Sequence, residues 1–338
     1  MRRASPIRRD ASRPALMGPI LAAGLAVALA AAPAQAEVKV AVTIKPIHAL
    51  VSQVMEGVAT PTLLVQGAAS PHTYALKPSD AAALHHADVF FRVSENVEPF
   101  TRKIVEALPS SVRTVTLADA PGVTHLPIRT GETFELHDHA HEGGTDDGDH
   151  AHDHDDHDYD DHAPGTTDGH VWLDPENARK MVAEIARVLA EASPADAETF
   201  KANAARTDVA LAALETEITG DLAPLKGMPF VVFHDAFQYF EQRFGLAAVG
   251  SITVSPEHKP SAKRLTEIRR KLASLKAACV FSEPQFQAKL VAAVTEGTTA
   301  RAGTLDPEGA LVEPGPAAYA TLLRNLASGL KSCLLAPG

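Results

Sequence analysis

What the 338-residue chain lacks narrows it first. Past residue 36 there is no apolar stretch approaching the roughly 20 residues that a membrane-spanning helix needs, so nothing in that part reads as a transmembrane segment. There is no basic face, which removes nucleic acid as a partner. Cysteine is confined to Cys279 and Cys333, with no C-x-x-C pair, and no H-E-x-x-H run occurs. The sharpest absence is local: between Arg129 and Arg179 there is neither lysine nor arginine.

The first 36 residues read as an export signal, absent from the mature chain. Arg2, Arg3, Arg8, Arg9 and Arg13 precede an Ala/Leu-rich run from Ala15 to Ala32, and Ala34-Gln35-Ala36 supplies a small-residue cleavage pattern. A membrane helix is the alternative, for which the run is barely long enough. No cysteine follows the cleavage point to carry a lipid anchor, so a free periplasmic protein, expected to be a monomer, begins at Glu37. Losing five arginines and Asp10 takes the formal net charge from −11 to −15. Twelve acidic residues fall within 135–162, so the acidity is local. In an oxidising compartment the even cysteine pair favours one disulfide over a metal pair. Closing the intervening 54 residues would add roughly 4 kcal/mol on the chain-entropy model.

What fills the stretch without basic residues is histidine. His137, His139, His141, His150, His152, His154, His157 and His162 lie among closely spaced aspartates, in a segment with almost no apolar area to bury. Such a segment cannot offset the roughly 1–2 kcal/mol per residue that backbone ordering costs, and 137–168 is expected to be a disordered loop. Imidazole beside carboxylate suits a borderline divalent ion, Zn²⁺ first, and the loop is expected to bind it weakly. A solvated acidic linker is the plainer reading, and the histidines argue against it.

Elsewhere short apolar runs alternate with helical patterns, the pattern of an α/β protein with parallel sheets. Strands are predicted at 38–44, 60–65, 87–93 and 114–118, with helices after the first and at Pro78-Ser79-Asp80 and from about Val97 to Ala107. After the loop, Pro175 opens a helix through Ala192. From Pro194 a pattern with no Gly or Pro until Gly220 predicts a helix on the order of 40 Å long. Then strands at 230–233, 247–252, 278–283 and 300–305 alternate with helices. The expected architecture is two lobes of parallel sheet with flanking helices, joined by one long rigid helix, with a metal site in the inter-lobe cleft. The divisions are 37–136 and 169–193 for the N-terminal lobe, 194–222 for the bridging helix and 223–338 for the C-terminal lobe.

Four polar residues fall where strands end, which is where parallel α/β sheets present ligands. They are His72, His170, His234 and Asp306, two from each half, and three imidazoles with a carboxylate make a tetrahedral set for Zn²⁺. Singly each is weak: a histidine at a strand end is more often a satisfied polar residue, and Asp306-Pro307 would serve equally to start a turn. His48, His85, His86, His125 and His258 are read as packing, capping or surface residues, and Trp172 as packing that fixes the loop of His170.

Taken together, SPHTYALKPSD, DGHVWLDPENA, VVFHDAFQYF and AGTLDPEG, in that order around a His/Asp-rich insert, resemble the zinc-binding proteins of bacterial ABC uptake systems, the ZnuA-like branch. The resemblance spans essentially the whole mature chain. It implies two lobes bridged by a rigid helix and assigns the imidazole ligands to His72, His170 and His234. It also implies a Cys279–Cys333 disulfide and a histidine, not the glutamate of the manganese branch, at position 234. Some relatives place an acidic ligand before the first histidine; Pro71 stands there in this chain, so the fourth position falls to Asp306 or water, with Asp306 preferred. The function implied is that of a periplasmic receptor delivering Zn²⁺ to an ABC permease, with a periplasmic zinc chaperone as a further candidate partner, and no catalysis. The alternatives are a His-rich metal buffer or adhesin, and a three-His zinc hydrolase.

Overall fold

The computed structural model describes residues 37–129, 167–253, 261–275, 277–287 and 289–336. Residues 1–36, where an export signal is expected, the histidine-rich segment 137–166 with all eight of its histidines, and His258 lie outside the described residues.

Two four-stranded, all-parallel sheets carry the fold. The first orders β1 (Val40–Val42), β2 (Thr62–Leu63), β3 (Val89–Arg92) and β4 (Arg113–Thr116) as β2-β1-β3-β4. The second orders β5 (Phe230–His234), β6 (Ala248–Thr253), β7 (Cys279–Ser282) and β8 (Arg301–Thr304) as β6-β5-β7-β8. Each order reverses beside its first strand, and in open α/β sheets the crevice at that reversal, outside the strands' carboxyl ends, is where ligands sit. α1 (Lys45–Val54), α2 (Pro78–His85) and α3 (Arg102–Ala107) belong to the first sheet; α6 (Gln238–Phe244), α7 (Ala262–Leu275), α8 (Lys289–Thr295) and α9 (Ala318–Leu334) belong to the second.

α4 (Pro175–Ala192) starts as the sequence directs: Pro175 holds the first position and the Asp174 carboxylate accepts from the Glu176 amide at 2.8 Å. α5 (Ala197–Leu222) follows a 3-10 turn at Pro194–Asp196 and runs 26 residues, about 39 Å at 1.5 Å per residue. It buries Phe200, Ala204, Thr207, Leu211, Leu214, Ile218 and Leu222, a stripe spaced by three and four. Asn203 on the same stripe donates to the carbonyls of Val54 and Glu56, both at 2.9 Å, satisfying the chain as it leaves α1.

The strands alternate between two environments, as period-two geometry requires. Val40 and Val42, Val89 and Phe91, and Phe230 and Val232 enter one continuous core, which also takes in Trp172, the α5 stripe and Tyr319. The alternate residues face smaller clusters: Ala41 and Phe90 pack with Leu84, and Val231 and Phe233 with Ile268 and Leu272. The two sheets thus share their main core. The Cys279–Cys333 disulfide ties β7 to α9, with Cα atoms 6.1 Å apart.

Several predicted elements differ in extent. The helix expected from Val97 begins as a 3-10 turn at Pro99–Thr101 and is α-helical only from Arg102. The second strand keeps only two residues, Thr62–Leu63.

Candidate metal centre

Three histidines distant in sequence meet at the seam between the sheets. His72 lies in a 3-10 turn (Pro71–Thr73) in the long loop after β2. His170 immediately precedes a 3-10 turn (Val171–Leu173) that feeds α4, and His234 is the last residue of β5. The His72 Nε2 and His170 Nε2 are 3.3 Å apart, as are the Nε2 atoms of His170 and His234. One ring nitrogen from each of the three lies within 4.8 Å of the others.

Two of the rings are held by the same device. Asp168 Oδ1 takes both the backbone N–H of His170 (3.0 Å) and its Nδ1 (2.7 Å). Glu283 Oε1 takes both the N–H of His234 (3.1 Å) and its Nδ1 (2.6 Å). With each Nδ1 donating its proton to a carboxylate, each Nε2 is left as a bare acceptor. The 3.3 Å contact between His170 and His234 then sets two lone pairs face to face, an arrangement that a shared cation, proton or metal ion, stabilises. Two nitrogens each about 2.0–2.1 Å from a tetrahedral Zn²⁺ stand about 3.3–3.4 Å apart, which the His72–His170 and His170–His234 spacings match.

Glycine and aromatics set this geometry. A Cβ on Gly169, between Asp168 and His170, would stand 2.5 Å from Val97 Cγ2, so only glycine lets the Asp168–His170 hook lie against the end of the first sheet. The Trp172 ring, fully buried, lies 5.2 Å from the His170 ring and donates Nε1–H to the Pro307 carbonyl at 2.8 Å. Phe286 meets His234 edge-on at 5.9 Å.

Electrostatics differ among the three. Burial, and then the neighbouring imidazoles of His170 and His234, push the His72 pKa down to about 2, so this ring is neutral at any physiological pH. At His234 burial also opposes the charge, but the Glu283 carboxylate outweighs it and raises the pKa.

Asp306 does not join the cluster, contrary to the sequence expectation. Its Oδ1 accepts from Gln285 Nε2 (3.0 Å) and from the Glu308 amide two residues on (3.2 Å), so it closes its own turn. His48 is buried and bonded to the Pro61 carbonyl, and His85 and His86 are exposed at the end of α2. The residues that sequence reasoning missed are Asp168 and Glu283. Asp168 was within reach, two positions before His170 in D-G-H. Glu283 needed the strand order: the 49-residue offset that pairs Phe230 with Cys279 also sets His234 against Glu283 at the strand ends.

Fold and cluster define a class: two-lobed α/β binding proteins with a set of metal-ligating imidazoles in the seam. The family model for the periplasmic component A of zinc-uptake complexes, ZnuA, matches residues 40–333, and the chain belongs to that family. It is 47% identical over 304 residues to the high-affinity zinc uptake system protein ZnuA of Brucella abortus (strain 2308), covering 87% of this chain and 91% of that one. To the Yersinia pestis protein of the same name it is 37% identical over 300 residues, covering 88% and 92%. A crystal structure of ZnuA, 24% identical, superposes with a TM-score of 0.71 over 88% of this chain and 100% of the other, which supports the fold.

Proposed function

We propose that this protein is the periplasmic receptor of a zinc ABC uptake system, holding Zn²⁺ on Nε2 of His72, His170 and His234 and passing it to a membrane permease. The observation that carries the reading is the convergence of three imidazole nitrogens within 4.8 Å of one another, two of the pairs at 3.3 Å and two of the rings fixed by carboxylates. Imidazole is a borderline donor and suits zinc better than manganese, which prefers oxygen. Both carboxylates touching the cluster are engaged in orienting imidazoles, and the chain in this reading is a carrier, not a hydrolase. The eight histidines of the 137–162 loop are a second, weaker zinc-binding element.

The test is calorimetric titration of the full chain, of a chain lacking 138–162, and of His72→Ala and His234→Ala in that shortened chain. One tight zinc should survive the deletion and be lost with either substitution, while weaker zinc disappears with the loop. Tight binding that vanishes with the loop and ignores both substitutions would overturn the reading in favour of a histidine-rich buffer.

A further inference from the structure

The chain enters and leaves the histidine-rich loop through a built stem. Pro127 and Thr167 form an antiparallel bridge, and the Asp168 amide donates to the Leu126 carbonyl at 2.8 Å. Tyr239 reaches this stem from α6 of the other half: its hydroxyl accepts from the Leu126 amide (2.9 Å) and donates to the Asp168 carbonyl (2.8 Å). Arg129 then crosses in the opposite direction. Its guanidinium forks onto Asp235, with Nε 3.0 Å from both oxygens and the second amino group also on Oδ1. It forks as well onto Glu241, at 2.9 and 3.0 Å. The Asp235 and Glu241 side chains are almost fully buried and that of Arg129 is 20% exposed. Glu241 in turn accepts from the Ala248 amide that starts β6.

The position of this clamp matters more than its size. On one side it grips Asp235, the residue after His234. On the other it grips the strand paired with Asp168, which orients His170. A shift of His170 away from His234 would open the cluster, and the clamp joins the supports of those two residues. Trp172 to Pro307 and the Tyr319 hydroxyl to the Trp172 carbonyl also join the halves, within the shared core; Lys45 to the Gly309 and Ala310 carbonyls, Gln53 to the Pro316 carbonyl and Arg243 to Asp174 are further polar ties. The Arg129 tie is polar and partly exposed, so it opens without breaching the core, and it grips the residue next to His234.

We infer that Arg129, with Tyr239, is a positioning pair that latches the two halves across the metal centre and sets the rate of zinc release without touching the ion. This inference rests on the zinc site proposed above. Charge alone makes the opposite forecast, which renders the proposal testable: removing Arg129 leaves two more uncompensated carboxylates near the cleft, and a purely electrostatic role would then hold Zn²⁺ more tightly and slow its loss.

The experiment is stopped-flow release of zinc into excess chelator from the loop-deleted protein and from Arg129→Met, Arg129→Lys and Tyr239→Phe in it. Apo stability is measured in parallel by thermal unfolding. Truncating one member of a buried, hydrogen-bonded charge pair acts mainly on the dissociation rate, and release about tenfold faster is expected for Arg129→Met, with the lysine variant intermediate. Tyr239→Phe changes no charge and should release zinc about threefold faster, since it loses two neutral hydrogen bonds. It decides the matter if Arg129→Met fails to fold. Release from Tyr239→Phe within twofold of the parent, or release from a folded Arg129→Met slower than or equal to the parent, overturns the latch. His170→Ala separates the two levels. If it leaves tight zinc in place, the site itself is wrong; if it abolishes tight zinc while the latch variants release at the parent rate, the latch alone fails.

Discussion

Single residues do unequal jobs at the centre. His170 and His234 each commit Nδ1 to a carboxylate that also holds their own backbone N–H, so ring tautomer and direction are fixed by one group. Such a partner also raises the basicity of the coordinating nitrogen, and its loss typically costs 10–100-fold in metal affinity. Glu283→Gln keeps the acceptor and removes the charge, so zinc affinity should fall by about tenfold, at the gentle end of that range. Competition against a chelator of known affinity measures it, and an unchanged affinity would show that Glu283 does no more than fill space.

Glu98 shows what a half-engaged buried charge costs. It is wholly buried, its Oε2 accepts from the Val93 and Ser94 amides, and its Oε1 makes no well-aligned hydrogen bond among the described residues. Burial raises its pKa to about 7, against the pull of Thr43 and those amides. Because the folded state binds the proton more tightly than the unfolded one, this group's contribution is fully present below the ordinary glutamate range and declines as pH rises through about 7. Glu98→Gln removes the ionisation. The variant should therefore gain on the parent with rising pH, by on the order of 2–3 kcal/mol between about pH 4.5 and about pH 8. Denaturant titrations at the two pH values check this; a stability difference that does not change with pH contradicts it.

At the scale of elements, the sequence carried its message where the signal is local. Asp174-Pro175 is a helix start by itself, and α4 occupies the predicted residues 175–192. The three-and-four spacing of Phe200 to Leu222 is a helix whatever surrounds it. Where an outcome depends on what lies across a gap, sequence fell short. Asp306 sits at a strand end like the three histidines, but Gln285 and its own turn claim its side chain. Glu283 is a plain strand-end acid until β7 is known to lie beside β5.

The glycine of the last motif has the same tertiary origin. A Cβ on Gly303 would stand 2.5 Å from the ring of Phe281, its partner across the β7–β8 ladder, and 3.3 Å from Cys333 Cβ on α9. Phe281 is fully buried against Phe230 and has little room to yield. Gly303→Ala should cost about 1–3 kcal/mol, the usual range for overpacking. A lower Tm in the oxidised protein checks this; an unchanged Tm would mean that the β8–α9 packing is loose.

For the molecule as a whole, the shared core is the governing feature. The inner faces of both sheets, the α5 stripe and the buried Trp172 and Tyr319 form one apolar body, so the halves are not independent folding units. Calorimetry of the apo protein should give one cooperative transition with calorimetric and van't Hoff enthalpies in agreement. Zinc should move that transition upward as a unit by mass action. Two separated transitions, with zinc shifting only one, would contradict a common core. The same feature limits how the cleft opens: wide separation would expose Trp172 and Tyr319, whereas breaking the polar Arg129 tie leaves the core intact.

Whether His72, His170 and His234 together hold one zinc ion is tested most directly by zinc-edge anomalous diffraction from crystals of the zinc-loaded, loop-deleted protein. One strong peak is expected, about 2.0–2.1 Å from Nε2 of all three histidines. A peak elsewhere, or one reached by only one of the three rings, would contradict a shared site.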